Sequence, residues 1–343
     1  MLNLITDVAG LAVGHATDLA LGSGVTAIVF DRAAVVSVAV LGGAPGGRDT
    51  GMLEPEMTIG GIDAVVLSGG SVFGLDAAGG VQAALREAGR GLNLRGALVP
   101  LASSAIIFDL LNGGNKAWGR FSPYRDLGYA AALAAAPGEF GLGSVGAGTG
   151  ATTATVKGGL GSASCVTGSG HTVGAIVAVN ALGSPLIGEG PWFWAAPFEQ
   201  GAEFGGRGWP ADMPADALVP RLKGGPGTST TVALVATDAA LTKPQAKRLA
   251  IMANDGLARA ILPAHAPMDG DTVFAAATGA RPLANDYDLT EVGHAATIAL
   301  ARAIARGVYE ATALPGAGAQ ASWRERFGAT SAPPRRGGPQ GPG

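Results

Sequence analysis

Short unbroken apolar runs, rich in Val and Ile, recur along the chain. Between them lie stretches in which apolar residues return every third or fourth position. The first kind has the length and β-branched content of buried strands, the second the period of amphipathic helices. Residues 25–30 and 33–41 are two such runs on either side of Asp31-Arg32, which predicts a hairpin. Further strands are predicted at 64–67, 105–108, 173–180, 232–236 and 272–277. Helices are predicted at 72–88, with Phe73, Ala77, Val81 and Ala84 on one face, and at 128–135, 246–261 and 289–311. Thr242-Lys243-Pro244-Gln245 reads as an N-cap box with proline in the first turn of the third of these helices.

Residues 183–228 break this rhythm. Prolines punctuate them, Trp192, Phe193, Trp194 and Trp209 look exposed, and neither period persists. Connections longer than about 15 residues inside a compact domain are usually functional or flexible. This one ends in Gly225-Pro226-Gly227 and runs through four hydroxyl residues, Thr228, Ser229, Thr230 and Thr231, into the strand at 232–236. Locally this is a polar loop entering a sheet, and nothing local chooses among the hydroxyls. Residues 331–343 read as a disordered tail.

Composition narrows the setting. Of 343 residues, 48% are hydrophobic and only 14% charged, so a large core or subunit contacts must bury much of the chain. The 57 glycines follow no collagen-like period and read as tight turns and close backbone approaches. A net charge of −3 without a basic stripe argues against a nucleic-acid partner. Cys165 is the single cysteine and the four histidines are scattered, so neither a disulfide within the chain nor a metal site is expected. The N-terminus lacks a signal-peptide pattern, and the longest apolar stretch, 25–44, is interrupted by Asp31-Arg32. A cytoplasmic protein without cofactor or membrane partner is the expectation.

Several residues carry chemistry with a plainer reading beside it. The loop 68–71 between a strand and a helix matches neither phosphate-binding glycine spacing, although its amides could face a carboxylate or an oxyanion. Lys157, between small and apolar residues, is either a surface lysine on a kinked strand edge or an ammonium pointing into a cleft. Asn180 ends a strand, where asparagine is common as a turn former. Asp269-Gly270-Asp271 is either a turn or a pair of carboxylates able to anchor a lysine or orient an amine.

Six blocks then occur together: residues 42–46, 67–77, 145–150, 157–161, 235–238 and 268–272. In content and order they resemble the L-aminopeptidase/D-esterase family, which includes β-peptidyl aminopeptidases and nylon-oligomer hydrolases. The likeness spans residues 4–312. It implies an α+β fold, a four-layer αββα sandwich of the N-terminal-nucleophile type with its own strand connectivity, as one catalytic domain over residues 1–330. It also implies self-cleavage into a large chain (1–229) and a small chain (230–343), and homo-oligomers, tetramer-like assemblies of those pairs.

The family nucleophile stands seven residues before the threonine of the Ala236-Thr237-Asp238 block, which selects Thr230 and a cut after Ser229. By the same resemblance Asn180 is the oxyanion-binding asparagine, Lys157 the active-site lysine of the nylon-oligomer branch, and Asp269 and Asp271 its two acidic residues. Two positions depart from the pattern. Ser229 stands where relatives usually have Asn or Gly, which predicts slower processing. Phe108 replaces a tyrosine and removes a hydrogen-bond donor.

The implied reaction is hydrolysis of peptide or peptide-like amides, nylon-type oligomers among them, through an acyl-Thr230 intermediate. The freed α-amine, with a reference pKa of about 7.7–8.0, acts as general base for its own hydroxyl. Lys157 nearby would lower that pKa, and Asp269 and Asp271 would offset the effect. The rival readings are an ornithine-acetyltransferase-like acyltransferase and a non-enzymatic assembly protein.

Overall fold

The computed structural model describes residues 1–224, 229–316 and 319–328, so the Gly-Pro-Gly hinge at 225–227, Thr228 and the tail at 331–343 lie outside the described residues. In chain order the strands are β1 (Leu11–Asp18), β2 (Ser23–Val40), β3 (Gly47–Arg48), β4 (Ile62–Ser68), β5 (Leu92–Leu94), β6 (Ala97–Val99), β7 (Ala102–Ile106), β8 (Leu160–Val166), β9 (Thr172–Asn180), β10 (Thr230–Ala240) and β11 (Thr272–Pro282). The helices are α1 (Ala77–Glu87), α2 (Tyr124–Leu133), α3 (Lys243–Ala260), α4 (Asp286–Tyr309) and α5 (Trp323–Phe327).

Nine strands connect in the order β3-β7-β4-β2-β11-β10-β9-β8, with β1 also paired to β2. Strand β2 turns this into two layers. Its first half pairs with β1 and β4, and its second half with β11. Side chains alternate across each strand. Ile28, Phe30, Val65 and Leu67 from one layer meet Ile176, Ala178, Val232, Leu234 and Phe274 from the other in a shared core. The opposite faces are covered by helices. Val25, Ala27, Ala64 and Val66 pack with residues of α1 and α2, whereas Ala175, Val177, Ala233 and Val235 pack with residues of α3 and α4. The result is the four-layer αββα sandwich expected.

The predicted hairpin at Asp31-Arg32 is not formed, and β2 runs straight through it. A two-residue hairpin turn needs positive φ, usually supplied by Asn-Gly or a similar pair, which Asp-Arg does not provide. The strand absorbs these exposed residues as an irregularity between Val29 and Ala34 and passes from one sheet to the other. The helix predicted from residue 72 begins as a 3₁₀ turn, Ser71–Asp76, and becomes α-helical only at Ala77. Gly70 (φ 84°) and Ser71 (φ 53°) turn the chain sharply there, which leaves Phe73 exposed rather than on the buried face.

Phe193 also differs from expectation. It is buried, with its ring 5.4 Å from that of Phe204 and stacked at 5.8 Å on that of Trp323. A partner some 130 positions away leaves no local signal. Thr242 caps α3 as predicted: its side chain accepts from Gln245 N, and Gln245 returns a bond to the Thr242 amide. Among the described residues no helix is long and apolar enough to cross a membrane.

Candidate active site

Alternation along β10 assigns the hydroxyls. Thr230 shares the parity of Val232 and Leu234 and faces the space between the sheets, whereas Thr231 shares that of Ala233 and faces the helices. Thr230 pairs across the ladder with Asn180, the last residue of β9, which points to the same inner side. Two residues fifty positions apart in sequence thus begin and end adjacent strands at one mouth of the sandwich. The Thr230 hydroxyl donates to the carbonyl oxygen of Ser229, the peptide immediately before it.

The Asp269-Gly270-Asp271 loop closes over this position. Ser229 forms a parallel bridge with Asp269, and Thr231 N donates to Asp271 Oδ1 at 3.0 Å. A Cβ on Gly270 would lie 2.7 Å from Thr230 Oγ1, so only glycine lets the loop approach the hydroxyl. The block at residues 42–44 holds the loop from behind. Gly42 N donates to Asp271 O and Ala44 N to Asp269 O, and a Cβ on Gly42 would fall 2.3 Å from Asp271 N.

Both carboxylates are buried, each 1% exposed. Burial and the neighbouring Asp271 carboxylate push the Asp269 pKa well above the ordinary carboxylate range. Asp271 Oδ2 accepts from both the backbone N and Nδ1 of His265, each at 2.9 Å. Burial alone would lower the His265 pKa, but the hydrogen bond and charge of Asp271 outweigh it and raise it above 6.5. The folded state therefore binds this proton more tightly than the unfolded chain. The stabilisation is complete below about pH 6.5 and fades as the pH rises through the folded-state value. His265→Asn should lower the melting temperature by about 2–4 °C near pH 5.5, from roughly 1 kcal/mol, and by clearly less near pH 9. Equal losses at both pH values in a thermal melt would refute the pairing.

Asn180 ties the two sheets together. Its Nδ2 donates to Phe108 O at 3.1 Å, while its Oδ1 accepts from Thr152 N at 3.0 Å and from Lys223 Nζ at 2.7 Å. Lys157 is not a surface lysine. It is 1% exposed, and its Nζ donates to the carbonyls of Gly148 (3.1 Å) and Gly158 (2.8 Å). Burial brings its pKa down to about 7 against the pull of Asp109, and Lys223 adds to the depression. Lys223 is likewise lowered to about 7 by burial, with Asp269 and Asp109 opposing the shift.

A cleft of about 700 Å³ opens beside this cluster, lined by Phe108, Asp109, Thr152, Lys157, Lys223 and Gly224 among others. Thr230 itself is 3% exposed in the intact chain and does not line the cleft. Ser229 is buried as well, and Phe108 contributes its backbone carbonyl rather than a side-chain hydroxyl. All five residues singled out for chemistry therefore belong to one neighbourhood, with Thr230, Asn180, Asp269 and Asp271 in direct register and Lys157 at the cleft wall.

Sequence reasoning missed Lys223, Asp109 and His265. Lys223 lies in the irregular connection, where no period marks it. Asp109 follows the strand predicted at 105–108 and is held by Ser23 Oγ (2.6 Å) and Gly70 N (2.7 Å), partners far away in sequence. Its burial raises its pKa. The nearest signal was for His265, which stands in the turn-rich stretch just before the acidic pair.

Residues 3–321 match the family model described as Peptidase family S58. The chain belongs to that family. An uncharacterized aminopeptidase of Mycobacterium tuberculosis is 41% identical over 337 residues, covering 92% of this chain and 96% of that protein. The 6-aminohexanoate-oligomer endohydrolase of a Kocuria strain is 30% identical over 289 residues, 79% of this chain and 74% of that enzyme. Among solved structures, a Burkholderia β-aminopeptidase aligns with a TM-score of 0.69 at 25% identity, covering 94% of this chain and 91% of its own. The L-aminopeptidase D-Ala-esterase/amidase of Ochrobactrum anthropi, described as a variant of the Ntn-hydrolase fold, aligns equally well (TM-score 0.69) at 21% identity, covering 95% and 94%. That likeness speaks for the fold. As an S58 member the chain is a hydrolase of amide or peptide bonds, and the non-enzymatic reading falls.

Proposed function

We propose that this S58 hydrolase is made active by its own cleavage between Ser229 and Thr230, and that Thr230 then serves as an N-terminal nucleophile. The observation that carries the reading is the placement of the Thr230 hydroxyl against the carbonyl of the preceding peptide, on the inner face of the sandwich beside Asn180. In the precursor the hydroxyl attacks that carbonyl carbon. The C–N bond breaks, the nitrogen takes up the hydroxyl proton, and the acyl group of Ser229 passes to the Thr230 oxygen. Water then hydrolyses the ester, leaving a carboxylate on Ser229 and a free amine on Thr230.

The cut also removes an obstruction. At 3% exposure Thr230 is out of reach of any substrate while the chain before it is in place. Once freed, the α-amine accepts the proton of its own hydroxyl as the oxygen attacks a substrate amide. The Asn180 amide donates to the developing oxyanion, the protonated α-amine delivers its proton to the leaving amine, and water releases the acyl group. Asp271, bonded to Thr231 N, holds the strand start in place, and before the cut Asp269, bridged to Ser229, holds the peptide to be broken. Lys157 at the cleft wall adds positive potential, which favours the neutral, basic form of the new amine.

The relatives' names cover aminopeptidases and hydrolases of 6-aminohexanoate oligomers, and the amide bond common to both defines the substrate class. Water rather than an acceptor amine takes the acyl group in those named activities, which favours hydrolysis over acyl transfer. Denaturing electrophoresis of active protein should give two fragments, and sequencing of the smaller should begin Thr-Thr-Val. A single full-length band in fully active protein would end the reading.

A further inference from the structure

We propose that Lys223 is the positioning residue for the Asn180 amide, holding its oxygen from the side opposite the reacting atoms so that its NH₂ is presented to the oxyanion. This rests on the Thr230 reading above and adds to it a residue that no family block includes.

The two ends of an asparagine amide are nearly equal in shape, so its orientation is set by the company they keep. Here Asn180 Oδ1 receives Thr152 N, which can only donate, and Lys223 Nζ, which can only donate in its charged form. A flipped amide would set NH₂ against a backbone N–H and an ammonium, so the oxygen must face them and Nδ2 must face the other way. Nδ2 points to the side where Phe108 O lies, and Thr230 is the cross-strand neighbour of Asn180. Of the two donors Lys223 is the stronger, at 2.7 Å and with a charge available. A cation on the amide oxygen also polarises the N–H bonds at the far end, which makes them better donors to a developing negative charge.

The placement of Lys223 in the chain suits this role. It stands seven residues before Thr230 and so remains with the large chain after the cut. Its own backbone is pinned independently of the cleavage loop: Lys223 N donates to Leu182 O at 2.8 Å, and Nζ also donates to Thr152 O at 3.2 Å. Freeing the segment after it therefore leaves the ammonium where it was. Asp269 and Asp109 lie close enough to favour its charged form in a setting that otherwise opposes charge.

The test uses full-length protein with Lys223→Ala, Lys223→Met and Asn180→Asp, each assayed on a p-nitroanilide substrate with kcat expressed per cleaved chain. Loss of the donor itself costs about 10²–10³ in rate, so loss of the residue that orients it should cost about 10- to 100-fold in kcat, with KM within about threefold. Adding ethylammonium to Lys223→Ala should recover about tenfold, whereas Asn180→Asp should not respond. If a variant cleaves itself slowly, the cleavage rate with and without ethylammonium is read in the same way. A kcat within about threefold of the parent would overturn the proposal, as would a loss that follows the melting temperature and ignores the amine. Failure of the Thr230 reading shows separately, as parent protein that is active uncut.

Discussion

Thr230→Ala should remain a single uncut chain and lose activity to the level of buffer. Removal of a catalytic nucleophile that acts with its own base costs on the order of 10⁵–10⁶ in rate. Here one substitution removes the hydroxyl that would cut the chain and the hydroxyl that would attack substrate. The structural cost should be small by comparison. Thr230 is buried at a strand start, and alanine there deletes a hydroxyl and a methyl group without disturbing the ladder to Asn180. Melting temperature should therefore shift by only a few degrees, on the order of 1–2 kcal/mol, while activity disappears. Thr230→Ser, which keeps the hydroxyl, should still cut and still turn over. Activity retained by the alanine variant would transfer the nucleophile to Ser229 or Thr231, against the strand parity that turns Thr231 toward the helices.

Asn180→Asp should fold and yet lose about 10²–10³ in kcat, the usual cost of removing one oxyanion donor. The aspartate variant separates chemistry from architecture. Its carboxylate still accepts from Thr152 N and Lys223 Nζ, so the donors on that side stay satisfied. What is lost is the donor at the other end, along with its tie to Phe108 O. A negative charge now faces the place where negative charge develops. Asn180→Ala would be a less clean experiment, because it leaves the buried partners of the amide unsatisfied, at roughly 1–3 kcal/mol each. Stopped assays on a p-nitroanilide, together with the rate of self-cleavage, would measure both reactions. An Asn180→Asp enzyme within tenfold of the parent would remove the asparagine from the oxyanion site.

The substitution of Ser229 for the more usual Asn or Gly bears on the first of these reactions. Ser229 is buried and bridged to Asp269, so the scissile peptide is held in a ladder rather than in an open loop. A peptide fixed in that way has less freedom to pyramidalise at its carbonyl, so slow processing is the expected result. Fragment ratios followed over time after purification would measure it.

Much of this protein is legible in one dimension. Unbroken β-branched apolar runs located the strands at 173–180, 232–236 and 272–277, and period-3.6 patterning the helices at 246–261 and 289–311, because a strand buried on both faces and a helix buried on one must each supply that surface from their own residues. The Thr242 cap was readable since both of its partners lie within one turn. The spacing of one family block selected Thr230, and the resemblance matched Asn180, Lys157, Asp269 and Asp271. Thr230, Asn180, Asp269 and Asp271 lie together at the mouth of the sandwich, with Lys157 on the wall of the adjoining cleft.

What sequence alone left undecided depends on partners distant in the chain. Whether Asp31-Arg32 turns back or runs on was settled by β11, more than 200 residues later, which gives the second half of β2 an edge to pair with. Whether Lys157 is a surface or a buried cation was settled by the segment at Gly148, whose carbonyl accepts from its Nζ alongside that of the adjacent Gly158. That Thr230 faces the space between the sheets and Thr231 the helices followed from alternation along β10, and those two faces differ only once two sheets enclose a common core. Local sequence sets what a segment can become. The choice of face, charge environment and neighbour belongs to the packing of the whole chain, since only burial makes one side of a strand different from the other.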